Sequence, residues 1–357
     1  MAKLDFIGQI KEYSFEKKLI KLDLIDRKIL YILENNVRFS PTTIGRLLLI
    51  SREKVSYRIK RMEEIDFVHG YAAMLDPKKL GFHQYRVYFK FKNLDNDQDI
   101  IAFLFNFTEV TTIVTCSGSY DLQFVLSVRN QMEFIDKFGK IVEKYSSILE
   151  KFEVLDVVEE DIFVLWMILH EDDVKKVKIV GEHKGSTFQK EFLKKKNLNH
   201  KINNNMNEKI NLDDKDLSIL DILKLDSTSN IKHISHKISL APISIEHRIK
   251  DMILAGVIKR FFIQYSPTQL GYQWWHILFK MKNLDHERFT EFIKNHPNMS
   301  WYMRFLGKWD YQCNVYARTN AEFHAILQQI RKEFADHIMY YDTFIMFNQL
   351  KYYQKVK

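Results

Sequence analysis

The sequence predicts an α+β fold in which one unit, a group of helices followed by a mixed helix and strand region, occurs twice. Two observations predict it. A shift of 190 positions aligns residues 22–95 with residues 212–285 without a gap, and self-similarity at a fixed shift indicates a repeated structural unit. Within each copy, apolar residues recur first at the helical period of 3.6 and later at the strand period of 2. Residues identical in both copies include those at Asp23, Asp26, Ile29, Arg58, Pro77, Gly81 and Phe89.

The composition is that of a globular protein with a modest positive charge. The chain carries 54 Lys and Arg against 46 Asp and Glu, a net charge of +8, which fits a polyanionic partner without requiring one. The longest apolar run, from Ile162 to Leu169, is too short to span a bilayer, and the N-terminus lacks the features of a secretory signal. Cys116 and Cys313 lack the spacing of a zinc site. We expect a cytoplasmic protein without a cofactor, a metal or a membrane partner.

Three helices are predicted at the start of each copy. In the first copy, Asp23 opens the first helix, Ser40-Pro41 begins the second and Ser51 begins the third. Ser is a favoured cap and Pro a favoured first helical residue. A two-residue connection separates the second and third helices, which is the helix-turn-helix arrangement. Residues 67–74 then read as a short strand that forms a wing.

The third helix is the candidate DNA-reading element, because an apolar stripe at Val55, Ile59 and Met62 leaves a cationic outer face. Side chains early on such a helix reach base edges, whereas the others position the protein on phosphates. The predicted base-reading residues are Arg52, Lys54, Ser56 and Tyr57, the predicted phosphate contacts are Thr42, Arg58, Lys60 and Arg61, and Ser51 completes the DNA-binding set.

Two alternatives to this interpretation stay open. A basic helix face is often a solvated surface with no partner. In addition, Arg58 and its equivalent Arg248 are alternatively satisfied inside the protein by an Asp of the first helix. The third helix of the second copy is the weaker candidate: residues 51–61 carry a net charge of +4, and the aligned residues 241–251 carry none. We interpret the nearby His233 and His236 as surface histidines rather than metal ligands.

The second part of each copy predicts a ferredoxin-like β-α-β-β-α-β domain. In the first copy the strands are expected at 85–91, 111–116, 122–128 and 152–158, and the helices at 100–107 and along the stripe Phe134, Phe138, Ile141 and Tyr145. Helices cover one face of such a sheet, so the other face must pack against something else. The second copy is the simplest candidate.

Together these residues resemble the Lrp/AsnC (feast/famine) family of transcription regulators. The resemblance rests on the Leu22-Asp23 and Asp26 opening, the Ser51 to Met62 helix, Val68-His-Gly-Tyr71, Pro77 with Leu80-Gly81, and the Gly118-Ser-Tyr-Asp121 turn. It implies a winged helix-turn-helix followed by a ferredoxin-like sensing domain that dimerises through its sheet. It also implies a small-molecule effector near that turn. The predicted effector-binding residues are Gly118, Ser119, Tyr120, Asp121, Gly307, Lys308, Trp309 and Asp310.

Two features depart from the family pattern. The usual member has one unit per chain, and the family turn often carries an Asp after the Gly, where this chain has Ser119 and Lys308. Whether an amino acid is the effector is therefore left open, and the alternative is that the turns have a purely structural role. The predicted boundaries are an N-terminal extension 1–21, winged helix-turn-helices at 22–76 and 212–266, sensing domains at 77–169 and 267–357, and a linker at 170–211.

The predicted function is sequence-specific, non-catalytic transcription regulation through double-stranded DNA. The linker is long enough for the two sensing sheets to pack as an intramolecular pseudo-dimer, and further homo-oligomerisation is left open. The alternative is a tetrapyrrole enzyme like the sirohaem decarboxylases, which resemble Lrp/AsnC proteins and are also built from paired units. No cluster of His and Arg that would hold such a substrate is evident in the sequence, and a scaffold helix would not need a cationic face.

Overall fold

A computed structural model describes residues 19–93, 97–163, 168–169, 211–352 and 354–356. These residues form two compact units, each of which contains elements from both halves of the chain. The helix-turn-helix unit comprises described residues within 21–80 and 168–266, and the barrel unit comprises described residues within 81–163 and 267–355. Residues 1–18 and 170–210, which hold most of the predicted extension and linker, lie outside the described residues.

The three helices of the first copy begin where their capping residues predict. Helix α1 is Leu24–Asn35, α2 is Pro41–Leu48 and α3 is Arg52–Glu64. Asp23, Ser40 and Ser51 are their N-caps, and each side chain accepts a hydrogen bond from a first-turn backbone N–H. Buried Ile29, Ile44 and Val55 come one from each helix. The predicted helix-turn-helix is therefore present.

The second copy repeats the arrangement with α6 (Asp214–Leu223), α7 (Ile231–Ile238) and α8 (Pro242–Leu254). Asp213 and Asn230 cap the first two of these helices with their side chains. The third helix has Ala241 at its N-cap, which forms no side-chain capping bond, and starts at Pro242. The cap that Ser51 provides in the first copy is thus missing from the second.

The strand that follows each helix-turn-helix pairs with its equivalent in the other copy. Strand β1 (Val68–Leu75) and β6 (Ile258–Tyr265) form a two-stranded antiparallel sheet, with Tyr71 opposite Ile263. The predicted strand is confirmed, and its partner lies about 190 residues away in the sequence. This pairing joins the two helix-turn-helices within one unit.

In the barrel unit, each copy supplies four strands and two helices in the predicted β-α-β-β-α-β order. The first copy contains β2 (His83–Phe91), α4 (Asp97–Asn106), β3 (Val110–Gly118), β4 (Leu122–Val128), α5 (Gln131–Tyr145) and β5 (Leu149–Ile162). After a 3-10 turn at Pro267–Leu270, the second contains β7 (Gln273–Met281), α9 (His286–Asn295), β8 (Trp301–Leu306), β9 (Tyr311–Ala317), α10 (Asn320–Glu333) and β10 (Ile338–Tyr352).

The eight strands close into one barrel in the order β10-β3-β4-β2-β5-β8-β9-β7. The last strand of each copy crosses to the other: β5 pairs with β8, and β10 pairs with β3. The expectation that the second copy covers the free sheet face is therefore met within a single chain. Odd-numbered residues of β2, such as Val87 and Phe89, pack under the helices, whereas Tyr88 faces the barrel interior with Leu278 and Phe344.

None of the helices in the described part of the chain combines the length and apolar character that crossing a membrane requires.

Candidate functional sites

Helix α3 presents an exposed face that contains most of the predicted DNA-binding residues. Arg52, Lys54, Ser56 and Lys60 are exposed, and the Tyr57 side chain is 68% exposed. Among the described residues, no carboxylate forms an ion pair with Arg52 or Lys54. Ser51 accepts a bond from the Lys54 backbone N–H at 3.2 Å and so fixes the start of the helix. Thr42 is exposed on α2.

Two of the predicted phosphate contacts face inward instead. Arg58 Nη1 donates to Asp23 Oδ2 at 2.6 Å and to Asp26 Oδ1 at 2.8 Å, and Arg61 Nη2 donates to Asp26 Oδ2 at 2.6 Å. Asp26 has no exposed surface. The ion pairs with both carboxylates raise the pKa of Arg58 despite its partial burial. The alternative prediction for Arg58, an internal Asp partner, is confirmed.

The second copy keeps the inner ion pair and loses the outer charge. Arg248 Nη1 lies 2.7 Å from Asp216 Oδ1 and 2.9 Å from Asp213 Oδ2, so the alternative prediction for Arg248 is also confirmed. The position of Arg61 is taken by exposed Asp251. Pro242 and Ile243, both exposed, stand where α3 has Arg52 and Glu53. The interpretation of His233 and His236 as surface residues agrees with their exposure on α7.

The residues of the turn between β3 and β4 form contacts with other residues of the barrel unit. Gly118 has φ of +130°, a conformation that favours glycine. Asp121 Oδ1 lies 2.9 Å from Lys90 Nζ, and its Oδ2 accepts a bond from the Phe91 N–H at 2.9 Å. Ser119 Oγ donates to Asp342 at 2.7 Å, and Tyr120 is buried.

The equivalent turn of the second copy repeats these contacts. Asp310 pairs with Lys280 at 3.0 Å and accepts a bond from the Met281 N–H at 2.7 Å. Gly307 has φ of +143°, Lys308 pairs with Glu153 at 3.2 Å, and Trp309 is buried. Both turn carboxylates are therefore engaged by the same pair of groups, a Lys side chain and a strand N–H, which supports the structural interpretation of these residues.

A cluster of buried polar side chains lies inside the barrel, at positions that were not predicted to form a site. Arg86 donates to Gln123 Oε1 through Nη2 at 2.7 Å and through Nε at 3.2 Å. Gln312 Nε2 donates to the same oxygen at 3.2 Å, and His276 Nδ1 contacts the side-chain amides of both glutamines. All four side chains are buried. The structure thus brings one His and one Arg together, a pairing that was not predicted.

The signal for this cluster was in the internal alignment. Arg86 aligns with His276 at the shift of 190, and Gln123 aligns with Gln312 at a shift of 189, so the four polar residues come from two equivalent strand positions. Strand alternation places them on the face away from the helices. Because that face becomes the barrel interior only when the two copies pair, a reading of one copy at a time leaves these residues on a solvated face.

Comparison with known proteins identifies the family. The family description "AsnC-type helix-turn-helix domain" matches residues 22–63, "Winged helix-turn-helix DNA-binding" matches residues 212–259, and "Lrp/AsnC ligand binding domain" matches residues 276–356. The HTH-type transcriptional regulator Ptr1 of Methanocaldococcus jannaschii is 32% identical over 117 residues, which cover 33% of this chain and 78% of that protein. The chain belongs to the Lrp/AsnC family.

A second relative matches this chain with similar identity and coverage. The HTH-type transcriptional regulator LrpC of Bacillus subtilis is 31% identical over 109 residues, which cover 30% of this chain and 76% of that protein. Each of these Lrp/AsnC relatives therefore matches about a third of the chain with most of its own length. This member of the family carries two helix-turn-helix domains, as the internal repeat predicted.

Similarity along nearly the whole chain is found with a solved enzyme structure. The siroheme decarboxylase NirDL superposes with a TM-score of 0.59 at 13% sequence identity, and the match covers 93% of each chain. Identity at this level shows a shared fold and nothing more.

Proposed function

We propose that this Lrp/AsnC protein is a sequence-specific DNA-binding transcription regulator that carries out no chemical step. The proposal rests on the two different environments of the cationic side chains of α3. Arg58 and Arg61 are committed to Asp26, whereas Arg52, Lys54 and Lys60 point away from the protein. A helix that fixes its inner cations and exposes its outer ones is built to present charge to a polyanion.

The ion pairs orient the helix for this task. Asp26 is buried on α1, so its bonds to Arg58 and Arg61 fix α3 against α1. Helix packing and the Ser51 cap then hold the first turn of α3 in place. A recognition helix contacts base edges through that first turn, which makes a fixed orientation a condition of sequence reading.

We assign roles on this basis. Arg52, Lys54, Ser56 and Tyr57 read base edges: Arg and Lys suit guanine, Ser suits several bases, and the Tyr57 ring gives an apolar surface. Lys60 and Thr42 contact phosphates, and Ser51 acts as the cap. Arg58 and Arg61 keep a positive charge near the backbone, but their main role is to orient the helix.

The second helix-turn-helix binds DNA more weakly in this proposal. Its third helix lacks the side-chain cap, the Arg52 equivalent and the Arg61 equivalent. The two halves of the DNA site are consequently unequal. A homodimeric family member reads two identical half-sites, whereas a fused pair can tolerate a site without two-fold symmetry.

A tetrapyrrole enzyme is the second candidate function. The whole-chain similarity to the fold of siroheme decarboxylase NirDL and the buried His276 and Arg86 favour it. Fold similarity at 13% identity does not carry an activity, and a decarboxylase does not require the exposed cations of α3. Incubation with sirohaem, followed by mass analysis of the tetrapyrrole, separates the two functions: we expect no loss of carboxyl groups.

The direct test of the proposal is selection of DNA. Purified full-length protein is incubated with fragments of the source genome at low and at physiological salt, and the bound fragments are sequenced. We expect one enriched sequence motif and a steep loss of affinity with salt. Recovery of fragments in proportion to their abundance at both salt concentrations would contradict sequence-specific binding.

A further inference from the structure

We propose that the barrel interior contains a binding site for a carboxylate-bearing small molecule, formed by Arg86 and His276. The inference concerns the barrel unit alone and does not rest on DNA binding. It starts from a buried charge and from buried hydrogen-bond donors that have no acceptor among the described residues. Buried donors in native proteins are almost always paired, so each exception requires an explanation.

Arg86 is a buried cation that has no counter-ion within the described part of the chain. Its residue is 4% exposed, and none of the described carboxylates forms an ion pair with it. Its side-chain bonds go to the neutral amide oxygen of Gln123. An uncompensated buried charge is strongly destabilising, and proteins normally pair it. A retained charge of this kind indicates an anion that the described residues do not supply.

His276 adds a second donor to the same cluster. The side-chain amides of Gln123 and Gln312 both contact Nδ1, so Nδ1 accepts a hydrogen bond and Nε2 carries the proton. Nε2 is buried and has no partner among the described residues. Burial, assisted by the positive charge of Arg86, lowers the pKa of His276 well below its usual value, which keeps the imidazole neutral. An acceptor is therefore missing, rather than a donor.

Aromatic rings hold the two groups together. Trp301 stacks on the His276 ring at 5.5 Å, and the guanidinium of Arg86 lies 5.5 Å from the same indole. Trp274 meets the His276 ring edge-on at 5.3 Å, and its own Nε1 is buried without a partner among the described residues. Both indoles are partly exposed.

A carboxylate satisfies this arrangement better than water does. A buried water would accept a bond from His276 Nε2 but would leave the charge of Arg86 uncompensated. A carboxylate has two oxygens and can accept from a guanidinium and a neighbouring N–H together. The flanking indoles suit the apolar body of an organic acid. Arg86 and His276 occupy equivalent positions in the two copies. A site with an Arg on one side and a His on the other therefore needs two copies that differ in sequence, and this chain contains both.

The test uses acetate, the smallest carboxylate, on the full-length protein. Thermal unfolding and the NMR signal of the His276 Nε2–H are followed against acetate, with sodium chloride at equal ionic strength as the reference. We expect a saturable shift of the signal and a rise in the unfolding temperature with acetate only. Arg86→Met should abolish both, while Arg331→Gln, which removes an exposed arginine of the same unit, should retain both.

The stability of Arg86→Met without acetate shows whether Arg86 has a binding role or a structural role. If Arg86 is kept for a ligand, Arg86→Met should unfold at the same or a higher temperature than the wild type, because an unpaired charge is removed. His276→Phe is a second variant for which thermal unfolding is measured with and without acetate. An acetate effect no larger than that of chloride, an equal effect in Arg86→Met, or a lower unfolding temperature of that variant without acetate would each overturn the proposal. The same measurements with succinate and with a carboxylated tetrapyrrole then distinguish a small organic acid from a tetrapyrrole as the source of the carboxylate.

Discussion

Arg58 Nη1 lies 2.8 Å from Oδ1 of Asp26, a carboxylate with no exposed surface. The same pair recurs in the second copy as Arg248 and Asp216, at 2.7 Å. Both members of each pair are among the residues that the internal repeat retains. The bond between the first and third helices is thus common to both helix-turn-helices, whereas the net positive charge of the third helix, +4 over residues 51–61 against zero over residues 241–251, belongs to the first alone.

Removal of Arg58 should destabilise the helix-turn-helix unit. Arg58→Ala leaves one oxygen of buried Asp26 without its donor, and an unsatisfied buried polar group costs about 1–3 kcal/mol. Chemical denaturation measures the change in the free energy of unfolding. Lys60→Ala is the matched control, since Lys60 lies on the same helix with its side chain 75% exposed, and it should change stability by less than about 0.5 kcal/mol. Equal effects of the two variants would refute the structural role of Arg58.

Gly307 should not tolerate a side chain. Its φ of +143° is unfavourable for alanine, and an added Cβ would lie 2.8 Å from Leu155 Cδ2. We expect Gly307→Ala to destabilise the barrel unit by about 1–3 kcal/mol. Gly139→Ala in α5, where a Cβ meets nothing within 4 Å, should instead stabilise by about 0.5–1 kcal/mol. Thermal unfolding compares the two, and a stable Gly307→Ala protein would contradict the assigned backbone conformation.

His276 should make the barrel unit sensitive to acid. Its pKa is lowered well below 6.5 in the folded protein, so below about pH 6.5 the unfolded chain binds a proton that the folded chain excludes. Stability is therefore complete above that pH and falls as the pH drops, with a slope of up to about 1.4 kcal/mol per pH unit.

The variant His276→Gln should remove this contribution from the pH dependence. Urea denaturation is repeated from about pH 7 to pH 5, with His324→Gln as the control because His324 is exposed on α10 of the same unit. We expect a shallower slope for His276→Gln and an unchanged slope for His324→Gln. Identical slopes for all three proteins would show that His276 takes up its proton without cost to the fold.

The sequence predicted the elements whose signals are local. Ser40-Pro41 and Ser51 located helix starts because capping depends on a few neighbouring residues. The alternation around Val87 and Phe89 located β2 and its helix-covered face for the same reason. The repeat predicted that a second copy would cover the free sheet face.

Long-range partners could not be predicted in the same way. Whether a cation on α3 faces Asp26 or the exterior depends on the packing of α1 against α3, so Arg58 was left with two alternatives, while Arg61 was assigned outward and lies on Asp26. Arg86 and His276 are far apart in the chain, and only barrel closure brings both of them to Gln123. Single-strand patterns contain no information about such partners.

The exposed cations of α3 give the most direct test of DNA recognition. Equilibrium binding to a selected fragment is compared for the wild type, Arg52→Ala/Lys54→Ala, and Lys232→Ala/Lys250→Ala, which removes two exposed charges from the second helix-turn-helix. We expect the first double variant to lose at least about 2 kcal/mol of binding free energy, since each base contact is worth about 1–3 kcal/mol, with unchanged thermal stability. The second should lose clearly less. Wild-type affinity of Arg52→Ala/Lys54→Ala would contradict the account.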